Sequence, residues 1–193
     1  MAESRIVLVD SDAVFRKNIK AMLTRLGYWV VGETGDGLGA LKLVRSRQPD
    51  MLIIEAEVPG MSGLEVARIV HEDKLAPVVV LACSGAPGLL EKAKGARVAA
   101  LLVKPVDEAS LLPAVELALT NYQEIISLES QVKELKEALE TRKLVEQAKG
   151  ILMETIGITE AEAFKRMQRQ SMNRRISMRQ VAEAIILTQN LRV

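Results

Sequence analysis

Three residues with charged side chains stand where short apolar runs end. Asp10 follows Ile6–Val9, with Ser11 and Asp12 beside it. Glu55 follows Met51–Ile54, and Lys104 follows Ala99–Val103. A fourth run, Val78–Ala82, ends on a methyl group. If these runs are parallel strands, their carboxyl ends form the working edge of the sheet, and the loops starting at Asp10, Glu55, Ala82 and Lys104 share it. Neither a nucleophile–base pair nor a phosphate-cradling loop is evident there, so an enzyme reading has little support.

A second cluster is purely basic. Within residues 163–193, Lys165, Arg166, Arg169, Arg174, Arg175, Arg179 and Arg192 stand against one acid, Glu183, a local balance of +6. Such a segment on short helices is the electrostatic footprint of a phosphate-backbone partner. Guanidinium forks bind phosphate bidentately and stack on bases. The alternative is a solvated basic face.

The remaining composition narrows the choice. The chain has 193 residues, room for one large domain or two modest ones. Hydrophobic residues at 49% and charged residues at 26% exclude wholesale disorder. Aromatics at 3% argue against an aromatic platform for single strands. One cysteine, Cys83, and one histidine, His71, exclude an internal disulfide and a Cys- or His-based zinc site. Both read as incidental. No apolar run reaches the ~18–20 residues that span a bilayer. The start, MAESRIVLVDSD, has four apolar residues before its aspartates, too few for a signal peptide. A cytoplasmic protein with no membrane partner is expected.

The elements that must position these residues alternate in kind. Apolar runs at Ile6–Val9, Tyr28–Val31, Met51–Ile54, Val78–Ala82 and Ala99–Val103 are short and continuous, as strands buried on both faces are. Helical patterns lie between them: Val14 to Leu26, closed by Gly27, then Leu38–Val44, Leu64–Val70, Leu89–Lys94 and Leu111–Leu119. Five strand–helix repeats predict an α/β fold with a doubly wound, five-stranded parallel sheet over residues 1–120.

Beyond Asn121 the pattern changes. Ile125, Leu128, Val132, Leu135 and Leu139 are spaced 3, 4, 3 and 4 apart, a heptad seam that predicts a coiled-coil helix and a homodimer over 121–141. A long helix folded back on its own domain is the alternative. The helix should end near Gly157. Thr159-Glu160-Ala161-Glu162 and Ser177-Met178-Arg179-Gln180 read as capping boxes that open two more helices. Residues 142–193 thus form a small three-helix module. Phe164, Met153, Met167, Met172 and Met178 are expected to fill its core, and Ala148 and Gly150 to allow close helix packing.

Residues 4–119 resemble a response-regulator receiver domain. The strings that carry this are Val7-Leu8-Val9-Asp10-Ser11-Asp12, Gln48 to Glu55, Val58-Pro59-Gly60-Met61-Ser62-Gly63-Leu64-Glu65, and Val103-Lys104-Pro105. The resemblance implies phosphoryl transfer to an aspartate, with Mg²⁺ held by carboxylates, a hydroxyl and a lysine. Only Asp10 and Lys104 match those positions. Glu55 stands at the acceptor, Ser11 at the second metal acid, Ala82 at the hydroxyl and Leu101 at the aromatic switch. The expectation is a degenerate phospho-acceptor site that is not phosphorylated and holds neither Mg²⁺ nor another metal or cofactor. Asp12 is the acid left to compensate. Glu55, one methylene longer than aspartate, could pair with Lys104 and imitate a phosphorylated state.

Residues from about 137 to 190 resemble the ANTAR domain, the RNA-binding output module of AmiR/NasT-type antitermination regulators. The strings are Arg142 to Met153, Gly157 to Phe164 and Gln180 to Ile186. Receiver, coiled coil and ANTAR in this order is that family's architecture. It implies binding to paired stem-loops in nascent leader RNA, which keeps a downstream terminator from folding. A dimer suits such a target because linked modules gain effective concentration. Lys149 lies in the most typical string and is the first expected RNA contact. Lys165, Arg166, Arg169, Arg174, Arg175 and Arg179 follow from charge clustering. Two alternatives remain: a DNA-binding response regulator, and a receiver that serves as an interaction module for a regulatory protein partner.

Overall fold

The structure is a computed structural model that describes residues 4–83 and 88–190. The chain divides into two compact units, Met1–Ile126 and Ser127–Val193.

In the first unit, β1 (Arg5–Val9), β2 (Trp29–Thr34), β3 (Met51–Glu55), β4 (Val78–Ala82) and β5 (Ala100–Val103) form one parallel sheet in the order β2-β1-β3-β4-β5. The continuous apolar runs are explained by a two-faced core. Side chains alternate across a strand, so Ile6 and Leu8 of β1, Met51 and Ile53 of β3, and Val79 and Leu81 of β4 face one layer. That layer is α1 (Ala13–Arg25), through Ile19 and Leu23, and the start of α5 (Glu108–Ile156), through Leu111, Val115 and Ala118. Val7, Val9, Leu52, Ile54, Val78 and Val80 face the other way. They pack on α2 (Gly37–Arg47), α3 (Gly63–Glu72) and α4 (Leu89–Gly95). Gly27, at φ +88°, ends α1 in a conformation that glycine adopts freely.

In the second unit the last turns of α5 meet α6 (Glu160–Arg174) and α7 (Met178–Asn190). Gly157, at φ +70°, donates its N–H to Met153 O at 3.0 Å and closes α5. Both capping boxes form. Thr159 Oγ1 accepts from the Glu162 N–H at 3.3 Å, and Ser177 Oγ accepts from the Gln180 N–H at 3.2 Å. The core is Val145, Ala148, Met167, Val181 and Ala182.

Four packing expectations, at Phe164, Met153, Met172 and Gly150, are corrected here. Phe164 is 43% exposed, and Met153 and Met172 also face solvent; only Met167 is fully buried, with Met178 half-buried. A core this small is closed by β-branched residues and alanines before it reaches those side chains. Gly150 allows no close approach, since a Cβ there would meet nothing within 4 Å. Between the two units' cores, residues 123–140 of α5 are exposed on every face. No helix among the described residues is long and apolar enough to cross a membrane.

Candidate functional site

Parallel register sets β1, β3 and β5 to end on one edge. Val9 pairs with Ile54, Glu55 with Leu81, and Ala82 with Val103. Asp10, Glu55 and Lys104 therefore converge. Lys104 Nζ donates to Glu55 Oε1 at 2.6 Å. It also stands 2.7 Å from Asp10 Oδ2, an ion pair without hydrogen-bond alignment. Glu55 Oε2 accepts from the Ser11 hydroxyl at 2.7 Å and from the Ser11 N–H at 3.1 Å. The ring of Phe15 covers the ammonium, with its centroid 4.2 Å away. The Asp10 side chain is wholly buried and the other two nearly so.

Burial sets the electrostatics. It raises the Asp10 carboxyl above its ordinary value; Lys104 and the Asp12 N–H pull it back only in part, and the Glu55 charge adds to the rise. Burial would also raise Glu55, but the Lys104 and Ser11 hydrogen bonds outweigh it and hold that carboxylate below its usual range. For Lys104, burial favours the neutral amine, yet its two carboxylates win and its pKa is raised.

The other expected members of the site are placed differently. Asp12 turns away to cap α1, where Oδ1 accepts from the N–H groups of Val14 at 2.8 Å and Phe15 at 3.2 Å. Ala82 offers only its buried methyl group, and Leu101 packs into the core. Among the described residues, no three His, Cys, Asp or Glu side chains are placed to share a metal ion. Phe15 was not legible as a member of the site. Its only sequence signal is that it follows Asp10 by five residues, on the first turns of α1.

In the second unit the basic residues sort into two groups. Lys149, the first expected RNA contact, is 7% exposed. Its ammonium lies 2.8 Å from Glu146 and 2.7 Å from Glu160, which ties α5 to the start of α6 and raises its pKa. Glu146, three residues earlier on the same helix face, was the available signal. Arg179 pairs with Glu183 at 2.8 Å and also feels Glu137 and Glu140. Lys165, Arg166, Arg169, Arg174 and Arg175 are exposed and pair with no carboxylate among the described residues. Arg166, Arg169 and Arg174 line an open groove of about 850 Å³ between α5, α6 and α7. Arg192 lies outside the described residues. The seam residues Ile125, Leu128, Val132, Leu135 and Leu139 are 49–70% exposed along α5.

Residues 6–116 match the response regulator receiver domain and residues 133–186 the ANTAR domain. Transcriptional regulatory protein PdtaR of Mycobacterium tuberculosis is 41% identical over 184 residues, spanning 95% of this chain and 90% of that protein. Chemotaxis protein CheY of Thermotoga maritima is 27% identical over 112 residues, 58% of this chain and 93% of its own. Among solved structures, a two-component response regulator of the LuxR family from Aurantimonas sp. superposes with a TM-score of 0.58 at 30% identity, over 62% of this chain and 87% of that one. The signal receiver domain of an HD domain-containing protein from Pseudomonas fluorescens gives 0.59 at 28% identity, over 63% and 98%. The chain belongs to the response regulators that join a receiver domain to a C-terminal ANTAR domain, a family of antitermination-type regulators.

Proposed function

We propose that this chain is an RNA-binding antitermination regulator whose receiver works without phosphorylation. The observation that carries the RNA reading is the sorting of cations in the second unit. Lys149 and Arg179 are held by carboxylates, whereas Lys165, Arg166, Arg169, Arg174 and Arg175 are exposed with no acid to neutralise them. Unpaired exposed guanidinium groups on two adjoining helices suit RNA phosphates and unstacked bases.

The receiver reading rests on the clamp around Lys104. Mg²⁺ needs near-octahedral oxygen ligands at about 2.0–2.1 Å, usually including carboxylates. Here both carboxylates face an ammonium, Ser11 supplies a hydroxyl already given to Glu55, and Asp12 caps a helix. These donors do not fit the ion. Glu55 occupies the place and the lysine contact that a phosphorylated acceptor would take, so the receiver serves as a fixed scaffold or as the docking face of a regulatory protein. The exposed seam over 121–141 pairs two chains, which brings two ANTAR modules to two hairpins.

Purified full-length protein is mixed with hairpin RNA and with duplex DNA at matched salt, with and without acetyl phosphate and Mg²⁺, and its mass is read before and after. The reading expects RNA preference that the phosphodonor does not change, and no mass gain. Preference for the duplex, or addition of one phosphoryl group, overturns it.

A further inference from the structure

We infer that the groove of the second unit receives one unpaired base from an RNA hairpin loop; this goes further than the RNA-binding reading and rests on it. The groove holds about 850 Å³, within the roughly 300–1,000 Å³ typical of small-molecule sites. Its walls are apolar, built from Ile151 and Ile156 of α5, Met167 of α6 and Ile185 of α7. A phosphate backbone alone would need no such floor. A flat heterocycle would, because its faces are apolar while its edges are not.

The edges also find partners. Thr155, Gln170, Thr188 and Gln189 line the same groove: the two amides can donate and accept, and the two hydroxyls, which donate to the carbonyls of Ile151 and Ala184, can still accept. On α6, Arg166, Gln170 and Arg174 recur every four residues and form one stripe along the groove, with Arg169 next to it. No carboxylate is among the lining residues, and these three arginines pair with none among the described residues. An apolar floor, amide and hydroxyl groups, and three unneutralised guanidinium groups together match a nucleotide: base inside, phosphates at the rim. An apolar protein helix would match the floor and leave the arginines without partners. Phe164 is the one aromatic residue of the second unit and does not line the groove, so stacking falls to guanidinium planes and aliphatic walls.

The test uses full-length protein and a hairpin RNA of fixed stem, its loop enriched from a randomised pool on the wild type. Each loop position is then made abasic in turn, at constant salt. The groove is filled without changing charge by Ala184→Trp and, more gently, Ala184→Leu; Ala184 is exposed and lines the groove, so neither substitution enters the core. One abasic position should weaken wild-type binding roughly 5- to 100-fold, the effect of losing one stacked base. Both filled variants should bind the intact hairpin more weakly by a similar factor and should no longer distinguish the abasic one.

If every abasic position is tolerated, or a filled variant that melts like the wild type keeps the full abasic penalty, the groove assignment is wrong while RNA binding stands. If filling changes the mass in solution and leaves RNA affinity intact, the groove is a contact between copies and the assignment is again wrong. If no hairpin from the pool binds the wild type, the RNA reading and this one fall together.

Discussion

Removing the ammonium from the receiver site should destabilise the first unit in a way that depends on pH. Lys104→Met keeps the stem and deletes the charge that Asp10 and Glu55 share. The side chains of all three residues are no more than 15% exposed, so solvent screens the loss little. Breaking a buried pair by removing one partner typically costs about 3–5 kcal/mol. The variant has an escape, however, because a stranded carboxylate can take up a proton. From a reference near 3.9 and about 1.4 kcal/mol per pH unit, neutralising one carboxylate at pH 7 costs about 4 kcal/mol, which caps the electrostatic loss for each stranded carboxylate. At pH 5 the same cap falls to about 1.5 kcal/mol.

The signs agree with this. In the wild type the raised Lys104 contributes stability at every pH below its unfolded value, and loses it only as pH rises through its folded one. The lowered Glu55 contributes stability above its unfolded value and loses it as pH falls through the folded one. The raised Asp10 opposes folding as pH rises past its unfolded value. Without Lys104 both carboxylates rise, the native state binds more protons than the unfolded one, and stability declines from pH 5 to pH 7. Trp29, the single tryptophan, lies on β2 and reports unfolding of this unit alone in urea. A loss under about 1 kcal/mol at pH 7, within the range of an exposed ion pair, refutes the argument, as does an equal loss at pH 5 and pH 7.

Three further outcomes follow from the same geometry. The combined variant Ser11→Asp, Glu55→Asp and Ala82→Thr restores the receiver family's donors and should gain one phosphoryl mass from acetyl phosphate with Mg²⁺; no gain would place the block elsewhere. Leu128→Asp with Leu135→Asp puts charge on the exposed seam, and light scattering should give half the wild-type mass; an unchanged mass would remove the coiled coil from the account. In RNA binding, Arg166→Ala and Arg169→Ala should each lower the slope of log affinity against log salt by about 0.7–0.9 if each neutralises one phosphate, while Arg179→Ala, already neutralised by Glu183, should leave the slope nearly unchanged. Equal slope changes for all three would undo the division of the cations.

The sheet was legible because β1, β3 and β4, buried on both faces, write continuous apolar runs, and the half-buried edge strands β2 and β5 keep apolar stretches of their own, so each of the five runs is a strand. Helix ends were legible where a side chain must satisfy backbone donors, as at Thr159 and Ser177. The clamp was half legible: the Glu55–Lys104 pairing follows from strand order and side-chain length, but the grip of Ser11 on the second Glu55 oxygen depends on side-chain direction, which spacing does not encode. The basic cluster was legible as charge and not as function. Charge counting cannot tell Lys149 from Arg166, because the carboxylate that neutralises a cation can sit on another helix, as Glu160 does. The groove has no sequence signature, since its walls come from three helices whose spacing is set by a core of small residues.

The two ends of the molecule treat charge in opposite ways for one physical reason. In the receiver, Asp10 is fully buried, and a buried charge survives only with a partner. Lys104 therefore pairs with both Asp10 and Glu55. The ANTAR unit buries Lys149 alone among its described cations, and apart from Glu183 on α7 its acids lie on α5 and the first turn of α6. Lys149, which meets Glu146 and Glu160, and Arg179, which meets Glu183 on its own helix, are absorbed into the structure. The arginines along α6 and at its end meet none. A near-neutral chain of net charge +1 thus keeps an unneutralised basic surface, because pairing is local and the sum is not.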